Sequence, residues 1–309
     1  MKLNSVLMLK ISIIVPVYNE AENILPLFYE IKKYCPENFE LIWIDDGSND
    51  ETLSEIQQLS FHEERVKCIS LSRNFGHQNA MIAGLNYASG EIIITMDGDL
   101  QHPPVLIPTL IEELYKGADI VFTKSVFTQK EIWSKRLLNK IFYGFANFFS
   151  ETKIDENITE YRAFNQKVLD SVLQFKENET FLRGIFNWIG FKSATVEFKC
   201  AERKHGSTKY SLKETLANEL NKIILFNPSL IKFISIIIGF SLVITLFNVP
   251  LWNIYSANKN DSNYLQTTLI LLVSVVQLFL TGMIFKLVNT AINDNRNRPL
   301  YLVKDMINF

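Results

Sequence analysis

The residues best able to do chemistry lie in Met96-Asp97-Gly98-Asp99-Leu100-Gln101-His102-Pro103-Pro104, which follows the apolar run Ile92-Ile93-Ile94 after Thr95. The two prolines stop a strand, so two carboxylates one residue apart surface where a buried strand ends. Strand geometry sends Asp97 and Asp99 to one side, and Gly98 lets the backbone approach a ligand closely. Hard oxygen ligands in that place suit Mg²⁺ or Mn²⁺ held jointly with a substrate diphosphate, with Gln101 as a candidate third ligand. A solvated Asp-Gly-Asp turn would use the same residues, because turns favour them, and the motif alone does not choose between the two.

Three more polar clusters stand in equivalent places. Pro16-Val17-Tyr18-Asn19-Glu20 closes the β-branched run Ile11 to Val17, Asp45-Asp46-Gly47-Ser48-Asn49-Asp50 follows Phe39 to Ile44, and Ser72-Arg73-Asn74-Phe75-Gly76 follows Val66 to Leu71. Between these strands lie helical patterns: Ile24, Leu27, Phe28 and Ile31 on one face, then Thr52 to Leu59, His77 to Ala88 and Pro104 to Tyr115. Glu91 to Met96 reads as the fourth strand and Asp119 to Thr123 as the fifth. Strands alternating with helices predict right-handed crossovers and an α/β fold with a mainly parallel sheet. Ligands of such sheets bind beyond the carboxyl ends of the strands, where all four clusters lie. If they form one site, Asp45 and Asp46 accept hydrogen bonds from a nucleobase or ribose, and Pro16, Tyr18 and Glu20 wall the base. Asp97, Asp99 and Gln101 then hold a metal that neutralises charge on a leaving nucleoside diphosphate.

Further on, Gln129 to Ser150 reads as a long helix, Ile158 to Phe164 as a strand carrying Glu160, Tyr161 and Arg162, Gln166 to Phe175 and Thr180 to Gly190 as helices, and Phe191 to Cys200 as a strand. A basic loop, Glu202 to Tyr210, follows. Lys124, Lys135, Arg136, Arg162, Arg203 and Lys209 suit a lipid phosphate beside a bilayer. Simple solvation or contact with anionic head groups is the competing account of any one lysine.

Composition narrows the class. The 309 residues carry 31 Lys+Arg against 33 Asp+Glu, a net charge of -2, a balance that gives no sign of a nucleic-acid partner. Cys35, Cys68 and Cys200 are widely separated and lack metal-ligand spacing, as expected of reduced thiols in a cytosol-facing domain. Met1 to Lys10 lacks the apolar core and cleavage site of a signal peptide. Ser211 to Phe226 is amphipathic, fitting either a core helix or one lying on a bilayer. Phe233 to Trp252 and Tyr264 to Phe285 contain no charged residue, and about 20 apolar residues cross ~30 Å of hydrocarbon. Lys222 and Lys232 precede the first stretch, and Lys286, Arg296, Arg298 and Lys304 follow the second, so the positive-inside bias puts both ends in the cytoplasm. The expected organisation is a cytoplasmic catalytic domain over 1–210, a juxtamembrane helix over 211–228, a two-helix membrane hairpin over 229–288 and a cytoplasmic tail over 289–309, all at the plasma membrane.

Taken together, Val15 to Glu20, Ile44 to Ser48, Leu71 to Gln78 and Met96 to Pro104 resemble glycosyltransferase family 2, in its polyprenyl-phosphate branch of bactoprenol glucosyltransferases and dolichol-phosphate mannosyltransferase relatives. The resemblance continues through Arg183-Gly184 with Trp188, Arg203 to Tyr210 and Arg298-Pro299-Leu300-Tyr301, covering nearly the whole chain. It implies a GT-A nucleotide-sugar-binding fold and an inverting, metal-dependent transfer from a nucleotide sugar, with UDP-glucose as an example, to a membrane polyprenyl phosphate. It also implies a homotetramer. By resemblance, Asp97, Asp99 and Gln101 surround the Mg²⁺ or Mn²⁺ and diphosphate, Asp45 or Asp46 and Pro16 to Glu20 bind the nucleoside, and Arg162 lies near the acceptor phosphate or donor. Lys124, Arg136, Arg203 and Lys209 are the candidate acceptor-phosphate residues. With Asp97, Asp99 and Arg162, Glu160 is a candidate catalytic residue, and two departures stand out: Thr159-Glu160-Tyr161-Arg162 replaces the branch's usual Gly-Asp-Phe-Arg, keeping the carboxylate on a longer side chain, and Lys124 stands where arginines are common. The competing functions are transfer to a glycan or glycolipid, for which the processive Gln-x-x-Arg-Trp motif is missing, and an inactive nucleotide-sugar-binding scaffold.

Overall fold

The computed structural model describes residues 9–126, 157–175, 181–199, 236–240, 243, 263–295 and 298–309. The chain divides into two compact units, one of Met1–Gly144, Thr152–Leu212 and Pro299–Phe309, the other of Phe145–Glu151 and Lys213–Arg298. The first unit alternates strand and helix: β1 (Ile11–Val17), α1 (Ala21–Tyr34), β2 (Phe39–Asp45), α2 (Thr52–His62), β3 (Val66–Leu71), α3 (His77–Tyr87), β4 (Ile92–Thr95), a 3-10 turn (Pro104–Leu106), α4 (Ile107–Tyr115) and β5 (Ile120–Ser125). It continues with β6 (Ile158–Asn165), α5 (Gln166–Val172), α6 (Leu182–Trp188) and β7 (Ser193–Phe198). In the second unit lies α7 (Asn263–Asn295), after which β8 (Val303–Ile307) rejoins the first.

One eight-stranded sheet has the order β7-β5-β6-β4-β1-β2-β3-β8. Its centre, β4-β1-β2-β3, is parallel throughout, as the alternating pattern predicts. Every residue of β1, β2 and β4 is buried, which is why these strands are continuous apolar runs and not alternating ones. Ile24, Leu27, Phe28 and Ile31, the apolar face of α1, complete the core on one side. β6 departs from the simple pattern: it runs antiparallel between β4 and β5, bringing Glu160 and Arg162 back to the carboxyl end of β4.

The strand order reverses between β1 and β4, so the crevice above this pair is the ligand position that an open parallel sheet offers. Pairing of β1 with β4 ends at Ile14 and Thr95, while β1 continues alongside β2 to Val17. Pro16 therefore lies within β1, opposite Ile44, and not in a turn. Its missing N–H falls on the β4 side, where the ladder has already ended and no partner is lost. Gly98 closes this gap. A Cβ there would meet the Val17 Cγ1 at 2.5 Å, so the absent side chain serves packing of the β4 loop on β1, where ligand approach was expected.

Residues 289–309, expected as a tail, are helical to Asn295 and then supply the sheet's edge strand: β8 pairs antiparallel with β3. Asn308, in the left-handed region with φ 61°, donates to the carbonyls of Ser60 and Val66, each at 2.8 Å. The expected helices 129–150 and 211–226 lie outside the described residues, as does nearly all of the first uncharged stretch, 233–252. Among the described residues, no helix is long and apolar enough to cross a membrane. The backbone of α7 nonetheless runs unbroken through the uncharged stretch Tyr264 to Phe285, and Leu272, Val275, Leu278, Phe279 and Phe285 are exposed on it.

At the amino end of the sheet, one buried carboxylate ties four segments together. Glu40 accepts from the Ser12 hydroxyl (2.5 Å), the Ser89 N–H (2.9 Å) and the Ser89 hydroxyl (2.8 Å), with Lys10 Nζ at 2.9 Å and Lys67 Nζ at 3.0 Å. Burial by itself raises its pKa, but these hydrogen bonds outweigh it and bring the value from 4.5 to about 2. A depressed carboxylate stabilises the fold above its unfolded pKa, and that contribution fades as pH falls from about 4.5 toward 2, roughly 3 kcal/mol in all. Glu40→Gln should lower the stability of the full chain at pH 7 and flatten its pH dependence across that window, read as urea midpoints at pH 7, 4 and 3.

Candidate active site

The loops beyond β1, β2 and β3 are joined by side chains that accept backbone N–H groups. Asp45 accepts from the Ser48 N–H (3.0 Å) and the Ser70 hydroxyl (3.3 Å). Asp46 accepts from the N–H groups of Phe75 (2.7 Å) and Gly76 (2.9 Å). Both carboxylates are nearly inaccessible, so the pair expected to receive a nucleoside shapes the loops around it. Burial pushes the Asp46 pKa up, against the two backbone hydrogen bonds that pull it down. Asn19, with φ 53°, bridges to the β2 loop: its N–H reaches the Ser48 hydroxyl (2.9 Å) and its side-chain oxygen accepts from Asn49 (2.8 Å). The N–H of Glu20 donates to Thr52 (2.8 Å), and its carboxylate accepts from Asn23 (2.6 Å). Tyr18 is half-buried between these anchors.

The strand β4 ends at Thr95, before the acidic motif, so the pleat does not aim Asp97 and Asp99. A loop does, with Leu100 buried and left-handed (φ 63°), a conformation that costs a non-glycine residue energy and clusters at functional sites. Asp99 is largely buried and accepts the Gln101 N–H at 3.1 Å, which folds Gln101 back beside it. Asp97 is more open, its side chain 32% exposed. Its N–H donates to His102 Nδ1 (3.0 Å), and its Oδ1 lies 2.8 Å from His77 Nε2. His102 is buried and stacked on Tyr161, ring centroids 5.2 Å apart. Burial would raise the Asp97 pKa. The neighbouring His102 and His77 rings, the His77 hydrogen bond and the Arg162 guanidinium reverse this and hold the carboxyl well below the usual range. Because His102 accepts at Nδ1, the His77 hydrogen bond and Arg162 are the firmer contributors.

Beside this loop, β6 supplies a buried charge cluster. Arg162 is completely buried; its Nη2 donates to Glu160 Oε2 and to the Thr159 carbonyl (3.2 Å), and its guanidinium carbon lies 4.5 Å from the Phe186 ring centroid. Arg162 is thus paired with Glu160, whose other oxygen lies 3.8 Å from Arg183 Nε. Burial would raise the Glu160 pKa, but Arg162, Arg183 and His77 lower it below the ordinary value. Lys124 is part-buried in β5, opposite Ile158 of β6 and Glu197 of β7. Lys135, Arg136, Arg203 and Lys209 lie outside the described residues.

The structure thus brings together Asp97, Asp99, Gln101 and Glu160 at one edge of the sheet, and adds His77, His102 and Arg183, to which sequence reasoning gave no role. His77 had a legible signal, as the first helical residue after a glycine at a strand end.

Residues 12–173 match the sequence pattern of Glycosyl transferase family 2. The chain belongs to that family. The bactoprenol glucosyl transferase of Shigella phage SfV is 33% identical to it, over 96% of this chain and 99% of the relative. A prophage bactoprenol glucosyl transferase homolog of Escherichia coli (strain K12) is also 33% identical, with the same coverage of 96% and 99%. Among solved structures, the glucosyl-3-phosphoglycerate synthase from Mycobacterium tuberculosis, in complex with Mn²⁺ and UDP-glucose, is 17% identical with a TM-score of 0.50, covering 73% of this chain and 82% of that one. The common architecture is the expected GT-A α/β fold.

In this family 2 chain the Glu160–Arg162 pair sets a stability test. Removing one partner strands a buried charge, which costs roughly 3–5 kcal/mol. Glu160→Ala should lose about that much in denaturant unfolding, and Glu160→Ala combined with Arg162→Met should recover a large part of it.

Proposed function

We propose that this glycosyltransferase moves a sugar from a nucleotide donor, with UDP-glucose the first candidate, to the phosphate of a membrane polyprenol, with inversion and with a divalent metal. The observation that carries this reading is an ionised, accessible Asp97 beside Asp99 at the β1/β4 crevice, in a chain similar along nearly its whole length to bactoprenol glucosyl transferases. The donor set fits Mg²⁺ or Mn²⁺. Asp97, Asp99 and Gln101 offer only hard oxygens, and Mg²⁺ is ordinarily held by one or two carboxylates together with substrate phosphates. When bound, the ion would neutralise charge on the departing diphosphate.

The chain's own residues account for the rest. The loops fixed by Asp45, Asp46 and Asn19 position the nucleoside at Tyr18 and Glu20. The low pKa of Glu160 makes it a poor proton acceptor, and the reaction does not require a strong one. A phosphate monoester is already anionic near neutral pH, so its oxygen bonds to the anomeric carbon as the diphosphate oxygen leaves with the bonding pair. The protein's contribution is positioning and charge stabilisation. Arg136, Arg203, Lys209 and Lys124 are the residues we assign to the acceptor phosphate. The uncharged stretches Phe233 to Trp252 and Tyr264 to Phe285, with the exposed apolar side chains of α7, support a hairpin in the plasma membrane with the catalytic unit in the cytoplasm and a homo-oligomeric assembly.

Purified full-length protein supplied with polyprenyl phosphate, Mg²⁺ or Mn²⁺ and a panel of nucleotide sugars should yield a glycosylated lipid. Transfer only to a glycan would overturn the acceptor. Asp99→Ala should abolish lipid product while the protein still folds and inserts; wild-type rates in this variant would exclude the metal role. A cysteine at Asn258 should label from outside the cell, whereas one at the exposed Lys304 should not.

A further inference from the structure

Asp97 is gripped from two directions, its backbone by His102 and its carboxylate by His77. His102, wedged against Tyr161 and Phe198, accepts the Asp97 N–H and so fixes its backbone. His77 fixes the side chain: Nε2 stands 2.8 Å from Oδ1 and is the donor, since an ionised carboxylate only accepts. The other oxygen, Oδ2, has no hydrogen bond among the described residues, and its nearest ring nitrogen, His102 Nδ1, is 3.6 Å away and already occupied by the Asp97 N–H.

His77 does not reach this place by chance rotation. It opens α3, and the residue before it, Gly76, holds φ at 92°, a conformation that side chains rarely adopt. The Gly76 and Phe75 N–H groups are the two that Asp46 binds. At the next position, the Gln78 side-chain oxygen accepts the Leu182 N–H (3.1 Å), pinning the start of α3 to α6. A continuous series of contacts thus runs from Asp46 on β2, through the Phe75-Gly76 turn, to the His77 ring and the Asp97 carboxylate on the loop after β4.

We propose that His77 is a positioning residue for Asp97: it pins Oδ1 so that Oδ2 is presented to the metal–diphosphate of the donor, and Asp46 holds His77 in place to do so. An aspartate that is one-third exposed would otherwise spread over several rotamers, and fixing it before the ligand arrives removes an entropic cost from binding. Hydrogen-bond partners of metal-binding groups act in this way, and their loss ordinarily weakens affinity 10- to 100-fold. The inference rests on the reading of Asp97 and Asp99 as the metal–diphosphate clamp.

The test reads binding separately from turnover. Mn²⁺ uptake by the full-length protein in the presence of UDP is followed by the loss of the free-ion signal in electron paramagnetic resonance, for wild type, His77→Phe, His77→Gln and Asp99→Ala. His77→Phe keeps the ring volume at a surface position and removes the donor; His77→Gln returns an N–H donor. The expected result is a fall of about 10-fold or more in Mn²⁺–UDP affinity for His77→Phe, substantial recovery in His77→Gln, unchanged thermal midpoints in both, and loss of uptake in Asp99→Ala. Wild-type affinity in His77→Phe, with uptake lost in Asp99→Ala, would overturn the role of His77 alone. Undiminished uptake in Asp99→Ala would overturn the clamp itself. Should His77→Phe fold poorly, the comparison of His77→Gln with His77→Leu decides on the same readout: equal affinities overturn the proposal.

Discussion

The carboxyl edge of this sheet depends on the Asp46 carboxylate and its two backbone hydrogen bonds. A parallel sheet gathers several loops at one edge, and each loop brings N–H groups that the strands no longer satisfy. Asp46 takes two of them, from Phe75 and Gly76, while its neighbour Asp45 takes the Ser48 N–H together with the Ser70 hydroxyl. Adjacent residues at a strand end point to opposite sides, so an Asp-Asp pair can bind two loops in different directions. The energetic tension is plain: burial disfavours the charged form of Asp46, and the two N–H donors restore part of what burial removes. What results is a fixed turn at Gly76, and from it the start of α3 and the position of the His77 ring.

A second constraint comes from the antiparallel insertion of β6. It places the Arg162 guanidinium, wholly buried, beside the acidic loop. A charge there must be compensated, and Glu160, the Thr159 carbonyl and the Phe186 ring do so. Arginine suits this position where lysine would not, because its planar group can stack on a ring while its nitrogens bond in plane. Glu160 in turn is committed to balancing two arginines. Its extra methylene relative to aspartate lets one carboxylate span from Arg162 to Arg183.

How much of this could be read from the sequence varies with the range of the interaction. The strands β1 to β5 and the helices between them were legible, because buried parallel strands and amphipathic helices announce themselves within a few residues. The acidic motif and its place at a strand end were legible for the same reason. The reach of each side chain was not. Asp46 and Phe75 are 29 residues apart, and Asn308 meets Ser60 across 248; no local pattern encodes such a meeting. The pairing of β8 with β3 is the largest example. Its five residues look like part of a polar tail, and only the open edge of β3 makes them a strand. Gly98 misled for a related reason: close approach was correctly inferred, but the approaching atoms belong to Val17.

The edge strand also bears on the site. The N–H of Ser72, the first residue after β3, donates to the Leu302 carbonyl at 2.9 Å, and the chain then runs through Arg73 and Asn74 to the turn that Asp46 holds. The loop carrying His77 is therefore anchored at both ends, by Leu302, just before β8, on one side and by the Asp46 carboxylate, just after β2, on the other. A loop fixed twice has little freedom to absorb displacement, so the position of His77 is set by contacts more than 20 residues away in sequence as well as by its own helix. The surroundings of Asp97 are in this sense a property of the whole sheet: through the His77 hydrogen bond, the side chain of Asp97 is tied to Asp46, Gly76 and Leu302, which lie on three other segments of the chain.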